Sequence, residues 1–236
     1  FEDSGLKKKQ QVAQMFDKIA GRYDFLNRFL SVGIDVGWRK KAIRELQTLK
    51  PQSVLDVAPG TGDVAILTHK ILKPNKIVGI DISEGMLELG RKKIERLHLN
   101  NNIELLAGDS ENIKFSENYF DAVTVAFGVR NFENLEQGLQ EILRVLKPGG
   151  KLVVLEFSKP KQKVFKDLYN LYMQNIAPAV VSVFSKNKKA YKYLNDSVQQ
   201  FPEGQNFIDI LSTVGFKNTY NKALTFGICS IYCGSK

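Results

Sequence analysis

The chain has 236 residues, 43% hydrophobic and 25% charged, which suits one soluble α/β domain with a core of its own. No apolar run reaches the roughly 18–20 residues that span a bilayer, and the two histidines have no cysteine or carboxylate at metal-ligand spacing, so no structural metal is expected. The net charge of +9 draws the protein toward anionic surfaces, whether lipid headgroups, nucleic acid or acidic ligands, without choosing among them.

The Lys-rich opening, Phe1 to Gln11, is followed by no apolar stretch and does not read as a signal peptide; the missing initiator Met reads as a trimmed start. Val12, Met15, Phe16, Ile19, Tyr23 and Leu26 recur at helical spacing, predicting an amphipathic helix over 10–30. A break at Ser31-Val32-Gly33 precedes a second helix from Gly37 to Leu49, ended by Pro51. The pattern then changes. Ser53 to Val57 reads as a short buried strand, followed by a glycine loop and a helix from Asp63 to Leu72. Lys76 to Ile80 is the next strand, ending at Asp81; then come a helix from Glu84 to Leu97 and strands at 103–106 and 120–125. A helix over 135–146 leads through the turn Lys147-Pro148-Gly149-Gly150 into a strand at 151–155. This alternation predicts a mainly parallel sheet covered on both faces.

Residues 165–198, rich in Tyr, Phe and Val, read as inserted helices; a further helix covers 206–214. Phe216 to Tyr220 and Leu224 to Tyr232 close the chain as two strands with a short turn. A terminal hairpin makes one strand antiparallel, which separates the class I methyltransferase (Rossmann-like) fold from the usual dinucleotide-binding fold. The expected architecture is a single α/β domain with a doubly wound, seven-stranded sheet. It comprises a helical lid (1–50), a cofactor-binding core (51–158), a helical insertion covering the substrate (159–204) and a C-terminal helix and hairpin (205–236). Cys229 and Cys233, four apart in a strand, share a face and are too separated to bridge without distortion. They read as reduced core cysteines of a cytosolic protein, and His69 and His98 as surface helix residues.

In such a sheet, ligands bind beyond the C-terminal strand ends where strand order reverses. Gly60 and Gly62, in Ala58-Pro59-Gly60-Thr61-Gly62, permit a tight turn and close approach of backbone to ligand. Asp81 lies about as far past the loop as an acid binding the ribose hydroxyls requires. Gly60-Thr61-Gly62-Asp63-Val64-Ala65 also fits a nicotinamide-dinucleotide loop. Asp63 at the helix start would repel a pyrophosphate but not a cationic sulfonium, and Asp56 adds negative charge on the same side, so the pattern favours S-adenosylmethionine. Asp109 and Ser110 follow the third strand, where a polar side chain reaches the adenine amino group. Ile82 and Met86 are candidate flanks of the adenine, and Ala126 sits where the methyl donor would end. Structural roles compete at Asp109, as a turn-forming residue, and at Met86, as a core methionine.

The residues also match a family pattern: Met15-Phe16-Asp17-Lys18-Ile19-Ala20 with Tyr23-Asp24 and Asn27, Gly37-Trp38-Arg39, Gly60-Thr61-Gly62-Asp63, Phe127-Gly128-Val129-Arg130-Asn131, Leu155-Glu156-Phe157-Ser158-Lys159-Pro160, and Tyr193-Leu194, Ser197 and Phe201-Pro202. Over nearly its whole length the chain resembles the membrane quinone C-methyltransferases, which methylate demethylmenaquinone or a polyprenyl methoxybenzoquinol precursor of ubiquinone. The resemblance implies cofactor contacts by Thr61, Asp81, Asp109 and Ser110. Many members carry a serine where this chain has Ala126, so a side-chain hydrogen bond from that position is lost here.

Methylation of a ring carbon needs an electron-rich ring, which a hydroquinone supplies as it loses a hydroxyl proton. Arg130 and Asn131, just past the fourth strand, are the candidates to stabilise the developing phenolate and to orient a ring oxygen; guanidinium stays protonated and makes a poor base. Tyr23 on the lid is the third catalytic candidate, to which the resemblance likewise points. A salt bridge, a helix cap and core packing are the competing structural roles of Arg130, Asn131 and Tyr23. Residues 168–181 are candidate lining for a prenyl tail. The lysine clusters Lys159, Lys161, Lys163, Lys166 and Lys186, Lys188, Lys189, Lys192 are either solvated faces or contacts to anionic headgroups. The expectation is thus a polyprenyl quinol substrate and a cytoplasmic protein peripheral to the inner face of the cell membrane. Demethylmenaquinol is the first expectation for the ring, with a polyprenyl methoxybenzoquinol as the alternative, and a homodimer is left open. A nucleic-acid methyltransferase is disfavoured: there is no appended nucleic-acid module, no Asn-Pro-Pro-Tyr-type tetrapeptide and no suitably placed cysteine nucleophile.

Overall fold

A computed structural model describes residues 8–31, 33–160 and 188–236. The expected helices over 165–187, the apolar stretch 168–181 and Lys161, Lys163, Lys166 and Lys186 lie outside the described residues, as do the side chains of Tyr23, Lys188, Lys189 and Lys192.

The parallel strands are nearly continuous apolar runs because helices cover both their faces. They are β1 (Ser53–Val57), β2 (Lys76–Asp81), β3 (Ile103–Ala107), β4 (Phe120–Ala126) and β5 (Leu146–Phe157). With β6 (Lys217–Leu224) and β7 (Cys229–Ser235) they form one seven-stranded sheet in the order β3-β2-β1-β4-β5-β7-β6. Only β7 runs against its neighbours; Cys233 pairs with Val153 on one side and with Tyr220 on the other. Strand order reverses at β1, which pairs in parallel with both β2 and β4. This opens a crevice beyond the strand ends there.

Side-chain alternation along the strands feeds two cores. Leu55, Val57, Val123 and Val125 pack toward α5 (Leu135–Val145) and α7 (Gln205–Val214), against Leu139, Ile142 and Phe207. Val54 and Ile77 face α2 (Ile34–Arg44), α3 (Asp63–Leu72) and α4 (Glu84–Arg96), against Leu46, Ala65 and Leu87. Ser83 caps α4 by accepting from the Met86 N–H, and Asn134 caps α5 by accepting from the Gln137 N–H. The remaining α-helices among the described residues are α1 (Lys8–Leu30) and α6 (Lys188–Gln200). No helix among the described residues is long and apolar enough to cross a membrane.

Several boundaries differ from the sequence reading. Helix α2 begins at Ile34 and ends at Arg44, and turns carry the chain to Leu49. Strand β5 begins at Leu146, already paired with Phe120, and Lys147 to Gly150 form a bulge inside the ladder rather than a turn before it. The hairpin turn falls at 225–228, not near 221, because β6 is an edge strand with mostly exposed residues and carries little apolar pattern. His98 lies past the end of α4 at φ 56°. His69 is half-buried on α3. Both cysteines are free and buried.

Candidate active site

The crevice at the β1/β4 reversal is lined by the loops after β1, β2, β3 and β4 and is covered by α1. Its floor depends on unusual backbone. Ala58 (φ 56°) and Phe127 (φ 59°) both adopt the left-handed region that L-residues avoid. A Cβ on Gly128 would fall 2.6 Å from that of Ala58. A glycine there lets the loop after β4 close against the loop after β1. Such strain collects where geometry serves a ligand.

Asp81 organises one end. Its carboxylate accepts from the Gly60 N–H at 2.9 Å and from the Ser83 N–H at 3.0 Å while still lining the crevice. Burial pushes its pKa up against these backbone donors. Ile82, Met86, Phe16 and Phe132 add apolar walls, and Asp109 and Ser110 complete that side. A carboxylate beside a close-approach loop, apolar flanks and a second polar pair match an adenosine with a ribose hydroxyl edge. At the other end lie Ala126, Phe127 and Asn131.

Helix α1 reaches into this site. Lys9 bridges Asp109 at 2.7 Å and Glu111 at 2.8 Å. Burial alone would lower the Lys9 pKa, but these carboxylates outweigh it and raise it. Glu111 also accepts from the Glu133 and Asn134 N–H groups, fastening the loop after β3 to the segment before α5. Asp17 accepts from Ser83 Oγ at 2.6 Å and from the Gly85 N–H at 3.0 Å, at the α4 N-terminus. The lid is thus tied to both sides of the crevice.

Gly60, Asp81, Ile82, Met86, Asp109, Ser110, Ala126 and Asn131 therefore come together around one crevice. Asp56, Thr61, Gly62 and Arg130 do not line it. Thr61 is buried and accepts from Lys93 Nζ at 2.9 Å. Gly62 (φ 80°) caps α3. Asp63 does not project negative charge onto the ligand, because Lys93 (2.8 Å), Arg39 (3.1 Å) and Arg28 (3.4 Å) compensate it. Burial pushes its pKa up, but Lys93, Arg39 and Arg28 outweigh this and hold it below the usual carboxylate value. Contrary to the sequence expectation, Asp63 therefore offers no uncompensated charge to a sulfonium, and Asp81 and the crevice walls are the features suited to the cofactor.

Asp56 is likewise reassigned. The strand alternation turns its carboxylate into the sheet interior, where Thr124 donates to Oδ1 at 2.8 Å and Oδ2 has no partner among the described residues. Burial pushes its pKa up to about 7. The folded chain then holds a proton that the unfolded chain, with a pKa of about 3.9, has lost. This stability contribution is complete below pH ~4 and disappears as pH rises through about 7. Asp56→Asn should abolish that slope. In urea unfolding, the wild type is expected to lose about 3 kcal/mol more than the variant between pH 5 and pH 8; parallel declines would refute the burial effect.

Arg130 is the largest departure. Its side chain is only 5% exposed and is paired with the fully buried Glu156 at 2.6 Å. Nη1 also donates to the Phe127 carbonyl at 2.7 Å, and Nε to Ser197 Oγ at 3.3 Å. Its guanidinium braces the turn after β4, and Arg130 is not among the residues that line the crevice. Sequence reasoning missed Lys9, Glu111 and Glu156. Only Glu156 carried a signal, as a charge ending the apolar run Leu152-Val153-Val154-Leu155. Tyr23 lies on α1, but its side chain is outside the described residues.

Comparison with known proteins agrees with this geometry. Residues 5–236 match the ubiE/COQ5 methyltransferase family. The chain is 46% identical over 230 residues to a demethylmenaquinone methyltransferase of Bacteroides fragilis, covering 98% of this chain and 94% of that protein. It is 45% identical over 231 residues to the ubiquinone/menaquinone biosynthesis C-methyltransferase UbiE of Geobacter sulfurreducens, covering 98% and 90%. A crystal structure of a putative S-adenosyl-L-methionine-dependent methyltransferase from Methanococcus maripaludis aligns with TM-score 0.65 at 20% identity, covering 100% of this chain and 97% of that one. That likeness speaks for the fold alone. With a β1/β4 crevice built around Asp81 and a full-length match in sequence, the chain belongs to the ubiE/COQ5 methyltransferase family.

Proposed function

We propose that this enzyme C-methylates a reduced polyprenyl quinone, converting demethylmenaquinol to menaquinol, with S-adenosylmethionine as methyl donor. The observation that carries the reading is the pairing, in one crevice, of an adenosine-shaped end around Asp81 with an end containing Asn131. The names of the relatives from Bacteroides fragilis and Geobacter sulfurreducens support the quinone substrate.

S-adenosylmethionine, when bound, supplies an electrophilic methyl group. The residues suited to hold it are Gly60 and Asp81 at the ribose, Ile82 and Met86 beside the adenine, and Asp109 and Ser110 at its edge. The chain's own contribution to the reaction is mainly alignment, which can be worth on the order of 7–11 kcal/mol. Asn131 orients a ring oxygen as negative charge develops on it. Arg130, through Phe127 and Glu156, keeps the Asn131 turn in place. Tyr23 remains a candidate to contact the ring from the lid. In this reading the protein sits peripherally on the cytoplasmic face of an anionic membrane; the charge of +9 and the lipid tail of the substrate support this.

A second ring is favoured by the UbiE relatives, whose name covers ubiquinone as well as menaquinone. A methylation assay with reduced demethylmenaquinone and a reduced polyprenyl methoxybenzoquinone decides between them. At least tenfold higher kcat/KM on the naphthoquinol is expected. The reverse ratio would assign the benzoquinol, and no transfer to either would overturn the quinol reading.

A further inference from the structure

Asn131 ends the short 3-10 turn Val129–Asn131, and its backbone N–H donates to the Gly128 carbonyl at 3.0 Å. Asn131 lines the crevice together with Ala126 and Phe127. An amide can present either polarity: its oxygen accepts and its nitrogen donates. For a hydroquinone acquiring negative charge on oxygen, only the donor helps, while the acceptor would oppose ionisation.

Helix α6 supplies what chooses between them. The Tyr193 hydroxyl donates to Asn131 Oδ1 at 3.0 Å. Burial pushes the Tyr193 pKa up; Arg130 opposes this and Glu156 adds to it, so the phenol stays protonated and able to donate at neutral pH. Ser197, one helical turn further on the same face, accepts from Arg130 Nε at 3.3 Å. Arg130 in turn holds the Phe127 carbonyl and Glu156. The turn that carries Asn131 is therefore gripped from α6 at two adjacent points, one of them directly on the amide oxygen.

We propose that Tyr193 is a positioning residue whose hydroxyl, by occupying Asn131 Oδ1, commits the Asn131 amide to presenting N–H to the reacting ring oxygen. The inference rests on the quinol C-methylation reading. Tyr193→Phe keeps the ring packing and removes the hydroxyl, so the amide is free to rotate. With saturating reduced demethylmenaquinone, kcat at pH 7 is expected to fall about tenfold, the scale of one lost hydrogen bond to a charged group. The ionisation limb of kcat should move to higher pH by about one unit, so that the deficit shrinks as pH rises. S-adenosylmethionine affinity by calorimetry should stay within twofold of wild type, as should the thermal midpoint within a few degrees.

Three further measurements separate positioning from packing. Asn131→Asp, which offers only acceptors, should lose more activity than Tyr193→Phe, and adding Tyr193→Phe to Asn131→Ala should cost nothing further. Absorbance titration of the quinol bound with S-adenosylhomocysteine should show its hydroxyl ionising at higher pH in Tyr193→Phe than in wild type. A pH-independent loss, full additivity with Asn131→Ala, or unchanged kcat would overturn the proposal. If wild-type protein methylates neither quinol, the functional reading itself fails and takes this one with it.

Discussion

Replacing Asp81 with alanine is expected to weaken S-adenosylmethionine binding by roughly 10²–10⁴-fold, measured by calorimetry on the folded variant. Two losses combine. The carboxylate accepts from the Gly60 and Ser83 N–H groups and so sets the loop after β1 against the start of α4. It also lines the crevice, where its remaining lone pairs can take ribose hydroxyls. Hydrogen bonds to a charged group contribute roughly 1.5–3 kcal/mol each, and losing two of them gives the stated range. Asp81→Asn separates the two effects. Its amide oxygen can still accept one backbone donor, but its nitrogen cannot accept, so an intermediate loss is expected. Wild-type affinity in Asp81→Ala would mean that the crevice does not hold the adenosine at this carboxylate.

Arg130→Ala should destabilise the fold as well as slow turnover. Breaking a buried ion pair by removing one partner costs about 3–5 kcal/mol. Here the survivor would be Glu156, which is fully buried and whose Oε2 already lacks a partner among the described residues. For a chain of this size that cost corresponds to a fall of roughly 6–20 °C in thermal midpoint. Burial pushes the Glu156 pKa up, and Arg130 opposes the push. Without Arg130 the folded-state value rises further above the unfolded one. The variant's deficit should therefore be smaller at pH 5 than at pH 8, because stability linked to a raised pKa is lost as pH rises through it. The double variant Arg130→Met/Glu156→Leu replaces the pair with apolar groups and should recover most of the stability. Its turnover should stay low if the pair is needed to hold the Asn131 turn. An Arg130→Ala protein as stable as wild type would show that the pair contributes nothing in solution.

The loop Pro59-Gly60-Thr61-Gly62, Asp81 and the Asp109-Ser110 pair were legible because each follows a strand whose apolar run marks its end. Strand ends in a parallel sheet share one edge, so ligand residues there recur at spacings set by one βα unit. The edge strand β6 and the bulge at 147–150 were misplaced because neither carries an apolar pattern of its own; their bounds come from pairing with β7 and β4.

The sequence by itself determined the strand and helix alternation, the glycine loop and its acid, the antiparallel ending and the family pattern. All of these are local periodicities or short motifs. Only the tertiary structure decided what each charge does. Asp63 is neutralised by residues 24, 30 and 35 positions away, and Lys9 meets Asp109 across 100. Arg130 pairs with Glu156, and Asp56 takes its hydrogen bond from Thr124 on the neighbouring strand. The physical reason is that a charge leaving water must find its compensation wherever packing brings an opposite group. No local pattern records that partner, so the same residues admit a catalytic or a structural role until the fold chooses.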